Sequence, residues 1–176
     1  PRIHIKDSEF EACPVLPDHP VLLLPTTASG PPVAWPGFPQ LADELLLSGR
    51  TPIFAGGPGE EDWLHEIAGS HRVLPTLKLS VFAALCTRVE SVYGNDSGLS
   101  HLATAARRGA GLDPSTVHIY CGSTDPLKTA APGARGFRHR NPPDCWPCYR
   151  KRCRHDLSCM PNQSEALQVH VPNMIG

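Results

Sequence analysis

The sequence predicts an α/β domain with a Rossmann-like, doubly wound, mostly parallel sheet. Three observations carry that expectation. Short apolar runs of strand length alternate with longer segments whose apolar residues recur at helical spacing. The connections are rich in Pro and Gly, with 20 and 15 of these residues among 176. The apolar runs also end repeatedly in small polar residues, as parallel strands do at their carboxyl ends where a ligand binds.

Residues 1–20 lack a clear period and read as an incoming linker. The first strand is "VLLLP" (21–25), and the first helix is "FPQLADELLLSG" (38–49), with Leu41, Leu45 and Leu46 on one face. Strands follow at "PIFAG" (52–56), "RVLP" (72–75), "ESVYG" (90–94) and "TVHIYCG" (116–122). Helices fall between them at "EEDWLHEIAG" (60–69), "LSVFAALCTR" (79–88) and "GLSHLATAARRG" (98–109). Gly49, Gly69 and Gly109 sit where helix C-caps are wanted. The stretch after Pro161 reads as the start of a helix capped by Ser164. The resulting division is a linker (1–20), a sheet domain (21–141), a Cys-rich loop (142–160) and a tail (161–176).

Length permits an ordinary core without disulfide staples. No apolar run approaches the roughly 20 residues of a membrane span, and no signal peptide is legible, so a cytoplasmic protein is expected. Net charge is −1, but residues 135–176 hold 7 Lys/Arg against 3 Asp/Glu while the rest is acidic. A basic region of this kind favours an anionic partner without choosing among nucleotide, lipid headgroup and nucleic acid.

Chemistry concentrates at "VYGNDSGLSHLA" (92–103), an apolar strand running into Asp96, Ser97, Gly98 and His101 at the start of a helix. The helix supplies unpaired N–H groups and the positive end of its dipole, which suit a phosphate. Gly98 permits close approach, Ser97 offers a hydroxyl, and His101 a cation when protonated. Asp96, itself anionic, suits a cap or a sugar hydroxyl. The plainer alternative is an ordinary capped helix with a partly buried histidine. Further corners of the same kind are "LLLPTTASG" with Thr26 and Thr27, "FAGGPGEED" with Gly57 and Glu60, and "YCGSTDP". Four polar strand ends together resemble the surroundings of a nucleoside diphosphate.

In this order, "LPTT…WP", "AGGPGEE", "LPTL…LSVFAAL", "YGNDSGLSHLATA", "IYCGSTDP" and "CWPCYRKRCRHDLSCM" resemble the C-terminal half of the ADP-heptose:lipopolysaccharide heptosyltransferases, glycosyltransferase family 9. The likeness runs from about residue 20 to residue 165, and the Cys-rich segment is most similar to the heptosyltransferase II group. It implies the C-terminal half of a GT-B fold, two Rossmann-like domains across a cleft, in which this half binds the ADP-heptose donor. By resemblance, Thr26 and Thr27 contact the pyrophosphate, Glu60 beside Gly57 the ribose, and the backbone around Leu77 the adenine. Asp96, Ser97, Gly98 and His101 then line the diphosphate and sugar. The acceptor, a lipopolysaccharide core sugar, and the catalytic base belong to an N-terminal half. No catalytic metal is implied, and peripheral contact with the inner face of the inner membrane is. This chain alone is expected to bind nucleotide and not transfer sugar.

Two departures stand out. The family places a lysine two residues before the Trp of its Trp-Pro pair, where this chain has Val33, so a phosphate-binding cation is missing. The connection after "HLA" is longer than usual, and its Arg107 and Arg108 read as solvated residues.

Of seven cysteines, Cys13, Cys86 and Cys121 read as small buried hydrophobes. Cys145, Cys148, Cys153 and Cys159 crowd into one loop with metal-ligand spacing. A structural zinc is the leading expectation, with iron, two disulfides or free thiols as alternatives and His155 as a substitute ligand. The rival functions are a non-catalytic nucleotide-binding module and, third, a zinc knuckle for nucleic acid. The third is disfavoured because no base-reading helix follows the knuckle, so no nucleic-acid partner is expected.

Overall fold

Strands form where the apolar runs fall. In the computed structural model, which describes residues 3–26, 34–150, 152–162 and 166–170, the elements are α1 (Asp7–Glu11), β1 (Pro20–Leu24), α2 (Phe38–Leu47), β2 (Thr51–Phe54), α3 (Glu61–Ala68), β3 (Arg72–Val73) and α4 (Leu79–Cys86). They continue as β4 (Ser91–Asn95), α5 (Gly98–Gly109), a 3-10 turn at Pro114–Thr116, β5 (Val117–Tyr120), α6 (Pro126–Thr129), β6 (Arg135–His139) and β7 (Ala166–His170).

The strands make one sheet in the order β3-β2-β1-β4-β5-β6-β7. All pairs are parallel except β6 with β7. The chain steps outward from β1 to β3, returns to lay β4 beside β1, and then proceeds the other way. Strand order therefore reverses between β1 and β4, the place where such sheets leave a crevice. Val21, Leu22, Leu23 and Leu24 of β1 are all fully buried. Leu22 and Leu24 pack with Phe82 and Leu85 of α4 and Ala103 and Ala106 of α5, whereas Val21 and Leu23 pack with Phe38, Leu41 and Leu45 of α2 and Ala68 of α3. Helices on both faces are why β1 is a continuous apolar run and not an alternating one. Each such side chain contributes about 1.5–3 kcal/mol by its burial.

Four local expectations need correction. The segment before Pro20 is not featureless: α1 packs on α4, and Ile3, Ile5, Cys13 and Leu16 pack against the core. Cys13 is accordingly only half-buried, unlike Cys86 and Cys121, which are fully buried. Gly109 ends no helix by a left-handed turn; that conformation falls on Gly111 (φ +74°), while Gly49 (+79°) and Gly69 (+57°) adopt it as expected. Gly109 is instead where the chain crosses closely, since a Cβ there would lie 2.6 Å from the Ile3 carbonyl oxygen.

The tail forms a strand, not a helix. β6 presents an open edge, and Ala166–His170 pairs along it antiparallel, with Phe137 opposite Gln168; Ser164 lies outside the described residues. Lastly, Arg107 is buried, at 5% exposure, and not solvated. It completes an i, i+3, i+4, i+7 face with Ser100, Ala103 and Thr104, all buried. Its guanidinium donates to the carbonyls of Cys86 (2.9 Å), Val89 (2.9 Å) and Glu90 (3.3 Å), so the charge is solvated by the turn between α4 and β4.

Among the described residues no helix is long and apolar enough to cross a membrane.

Candidate functional site

The crevice is built on the ends of β1 and β4. Buried Asn95 ties them together: its side-chain nitrogen donates to the Pro25 carbonyl at 2.5 Å, and its oxygen accepts from the Trp35 N–H at 3.0 Å. Trp35 stacks on Tyr120 of β5 at 3.8 Å, and its indole N–H donates to the carbonyl of Pro161, beyond the Cys-rich loop. Five separate segments, those of Pro25, Trp35, Asn95, Tyr120 and Pro161, are thereby linked.

Ser97 occupies the N-cap position of α5 in extended conformation (φ −148°, ψ 164°), yet its side chain makes no capping bond. The Ser97 Oγ and the Thr26 Oγ1 are both buried without a protein hydrogen-bond partner. Both residues line a cleft of about 570 Å³ together with Gly57, Pro58, Glu60, Leu79, Gly98, Leu99 and Leu102, a size suited to a nucleotide-scale ligand. Unpaired buried hydroxyls are rare because each carries a desolvation cost of about 1–3 kcal/mol. Two of them in one cleft, beside the N–H groups of a helix start, mark a place that receives hydrogen-bond acceptors. A Cβ added at Gly98 would meet nothing within 4 Å, so no packing within the protein requires glycine there.

Of the residues singled out from sequence, Thr26, Gly57, Glu60, Ser97 and Gly98 meet in this cleft. Glu60 also holds its own loop, its Oε2 accepting from the Gly57 N–H at 2.7 Å. Leu77 is not in the cleft lining but packs partly against the core. Asp96 and His101 form a neighbouring network: the His101 Nε2 lies 3.2 Å from Asp96 Oδ1, and the Thr129 hydroxyl donates to Asp96 Oδ2 at 2.5 Å. Burial raises the Asp96 pKa, but hydrogen bonds from His101, Thr129 and Thr124 outweigh it and hold the carboxyl below its usual range. Asp96 is therefore an anion that orients His101. Thr27 and Val33 lie outside the described residues.

Sequence reasoning missed Asn95, Thr129 and the apolar wall of Leu79, Leu99 and Leu102. The leucines were legible in principle, since each stands in the first turns of a helix that opens beside a strand end.

The Cys-rich loop packs against the end of β5, where the Tyr149 N–H donates to the Ser123 carbonyl at 2.9 Å and Met160 covers Gly122. Arg138 lies over the Trp146 ring, 5.0 Å from its centroid.

Fold and cleft together define a doubly wound α/β domain of the class that binds its ligand at the switch point of the sheet. The family model of glycosyltransferase family 9 (heptosyltransferase) matches residues 2–158, and the chain belongs to that family. Among solved structures it is similar to E. coli ADP-heptose LPS heptosyltransferase II (TM-score 0.63, 20% identity, covering 78% of this chain and 45% of that one). It is also similar to E. coli heptosyltransferase WaaC with ADP (TM-score 0.56, 25% identity, 69% and 37%). A third is the family 9 glycosyltransferase from Veillonella parvula DSM 2008 (TM-score 0.55, 20% identity, 71% and 38%). The chain thus spans less than half the length of these three solved proteins. No curated protein matches it in sequence.

Proposed function

We propose that this chain is the donor-binding part of a heptosyltransferase, and that its cleft holds the diphosphate of ADP-heptose. The observation that carries the reading is the pair of unpartnered hydroxyls, Thr26 Oγ1 and Ser97 Oγ, in one cleft at the start of α5. Transfer of the sugar develops negative charge on the departing diphosphate. Hydroxyls and helix N–H groups that bind this charge more strongly as it grows lower the barrier. In this reading the ribose lies at the Gly57 loop, which Glu60 holds and which lines the same cleft. The similar structures include E. coli heptosyltransferase WaaC with ADP and with ADP-2-deoxy-2-fluoro heptose. The acceptor in this reading is a lipopolysaccharide core sugar, presented at the cytoplasmic face of the inner membrane.

Calorimetric titration tests the donor site. ADP and ADP-heptose are expected to bind with one-to-one stoichiometry and UDP or GDP much more weakly; equal affinity for ADP, UDP and GDP overturns the adenosine assignment. A second reading, a nucleotide-binding module without transferase activity, rests on Val33 in place of the family's lysine. A Val33→Lys variant that gains both ADP affinity and heptose transfer, where the parent chain only binds, supports the module. Transfer by the parent chain in the presence of an acceptor domain rejects it.

A further inference from the structure

We propose that Cys145, Cys148, Cys153 and Cys159 bind one zinc ion as a structural site outside the donor cleft. All four are free, and all four line one cavity of about 320 Å³. The segment that carries them has no helix or strand among its described residues between Arg140 and Asn162, and only Cys159 and Pro161 are buried within it. A stretch this long without secondary structure is uncommon in a compact domain, and two buried residues do not offset the entropy of ordering it. A cross-link does.

The Cys153 sulfur already accepts two backbone N–H groups, from His155 at 3.3 Å and Leu157 at 3.2 Å, so the loop is wrapped around this sulfur. Non-glycine residues turn left-handed between the cysteines: Tyr149 (φ 52°) directly follows Cys148, and Asp156 (46°) and Leu157 (58°) lie between Cys153 and Cys159. Such turns cost energy and persist where something holds them. Four thiolates around Zn(II) carry a net charge of −2, and Arg150, Arg152 and Arg154 line the same cavity. An all-sulfur set selects zinc over magnesium or calcium.

Among the described residues no three His, Cys, Asp or Glu side chains stand close enough to hold an ion. A zinc site here requires the four thiols to move inward, to Zn–S bonds of about 2.3 Å, with release of their protons.

The test is the metal content of the whole chain, purified reduced and without chelator, followed by Co(II) titration of the metal-free form. Expected are about one zinc per chain and the visible bands of tetrahedral cobalt with strong thiolate charge transfer. Cys153→Ser should lose at least about tenfold in zinc affinity, since even loss of an outer-shell partner costs about that much, and Cys13→Ser none. Should Cys153→Ser fail to fold, alkylation of the parent chain gives the answer: the four thiols are protected with zinc and labelled after chelation. Sub-stoichiometric zinc with no cobalt bands, an iron-cluster absorption, or two disulfides in reduced preparations each overturn the proposal. So does a cobalt spectrum that changes in His155→Ala.

Discussion

Replacing Ser97 by Ala separates a ligand-binding hydroxyl from a structural one, because the two roles predict opposite signs. Ser97 is 7% exposed, makes no capping bond, and leaves its Oγ unpaired. Ser97→Ala thus removes no hydrogen bond from the free protein and relieves the desolvation of a buried polar group, a term of about 1–3 kcal/mol. Stability of the free protein should be unchanged or higher. A hydrogen bond from this hydroxyl to a diphosphate oxygen has a charged acceptor and contributes about 1.5–3 kcal/mol, so ADP affinity should fall roughly 10- to 150-fold. Urea unfolding of the free protein and calorimetric titration with ADP measure the two quantities. A loss of more than about 1 kcal/mol in stability, the usual cost of losing an N-cap, with ADP affinity unchanged, would refute the reasoning.

Gly98→Ala should likewise leave the free protein at least as stable, since nothing lies within 4 Å of the new Cβ and Ala is favoured over Gly in a helix by up to about 1 kcal/mol; ADP titration should show weaker binding because the methyl enters the cleft. Arg107→Ala strands three carbonyl acceptors and should cost about 3 kcal/mol in urea unfolding. His118, stacked on Tyr93 at 4.3 Å, has its pKa lowered to about 4 by burial, with Arg135 adding to the effect. The folded state therefore holds it neutral. Its contribution is complete above the unfolded value near 6.5 and is lost as pH falls from there towards 4, by about 3 kcal/mol in all. Stability measured against pH should show that decline, and His118→Phe should flatten it.

The central strands were legible because each is buried on both faces, which forces a run of apolar residues such as "VLLL" that nothing else in the chain imitates. The edge was not. β6, Arg135–His139, has Phe137 as its one large apolar residue, and β7 takes its shape from pairing with β6, so neither carries a pattern of its own. Arg107 was misread because its charge outweighed the helical spacing in which it stands with Ser100, Ala103 and Thr104. At the site, residue types at strand ends located the cleft, and Thr26 and Ser97 do meet there. What sequence lacked was the partner list: that Asp96 engages His101 and Thr129, and that Glu60 bonds to Gly57, depends on distances between segments that no spacing encodes.

Helix α5 begins in the ligand cleft and ends at the Arg107 anchor, ten residues from Ser97 along the chain, or about 15 Å at helical rise. An anchored rod of this kind resists both sliding and rotation about its axis. The guanidinium, far from any bound molecule, sets the angular position of the Ser97 hydroxyl and the pitch of the amides beside it. ADP affinity in the proposed cleft should consequently respond to substitutions on the remote side of the domain, with the change registered first as a misaimed hydroxyl and only later as unfolding.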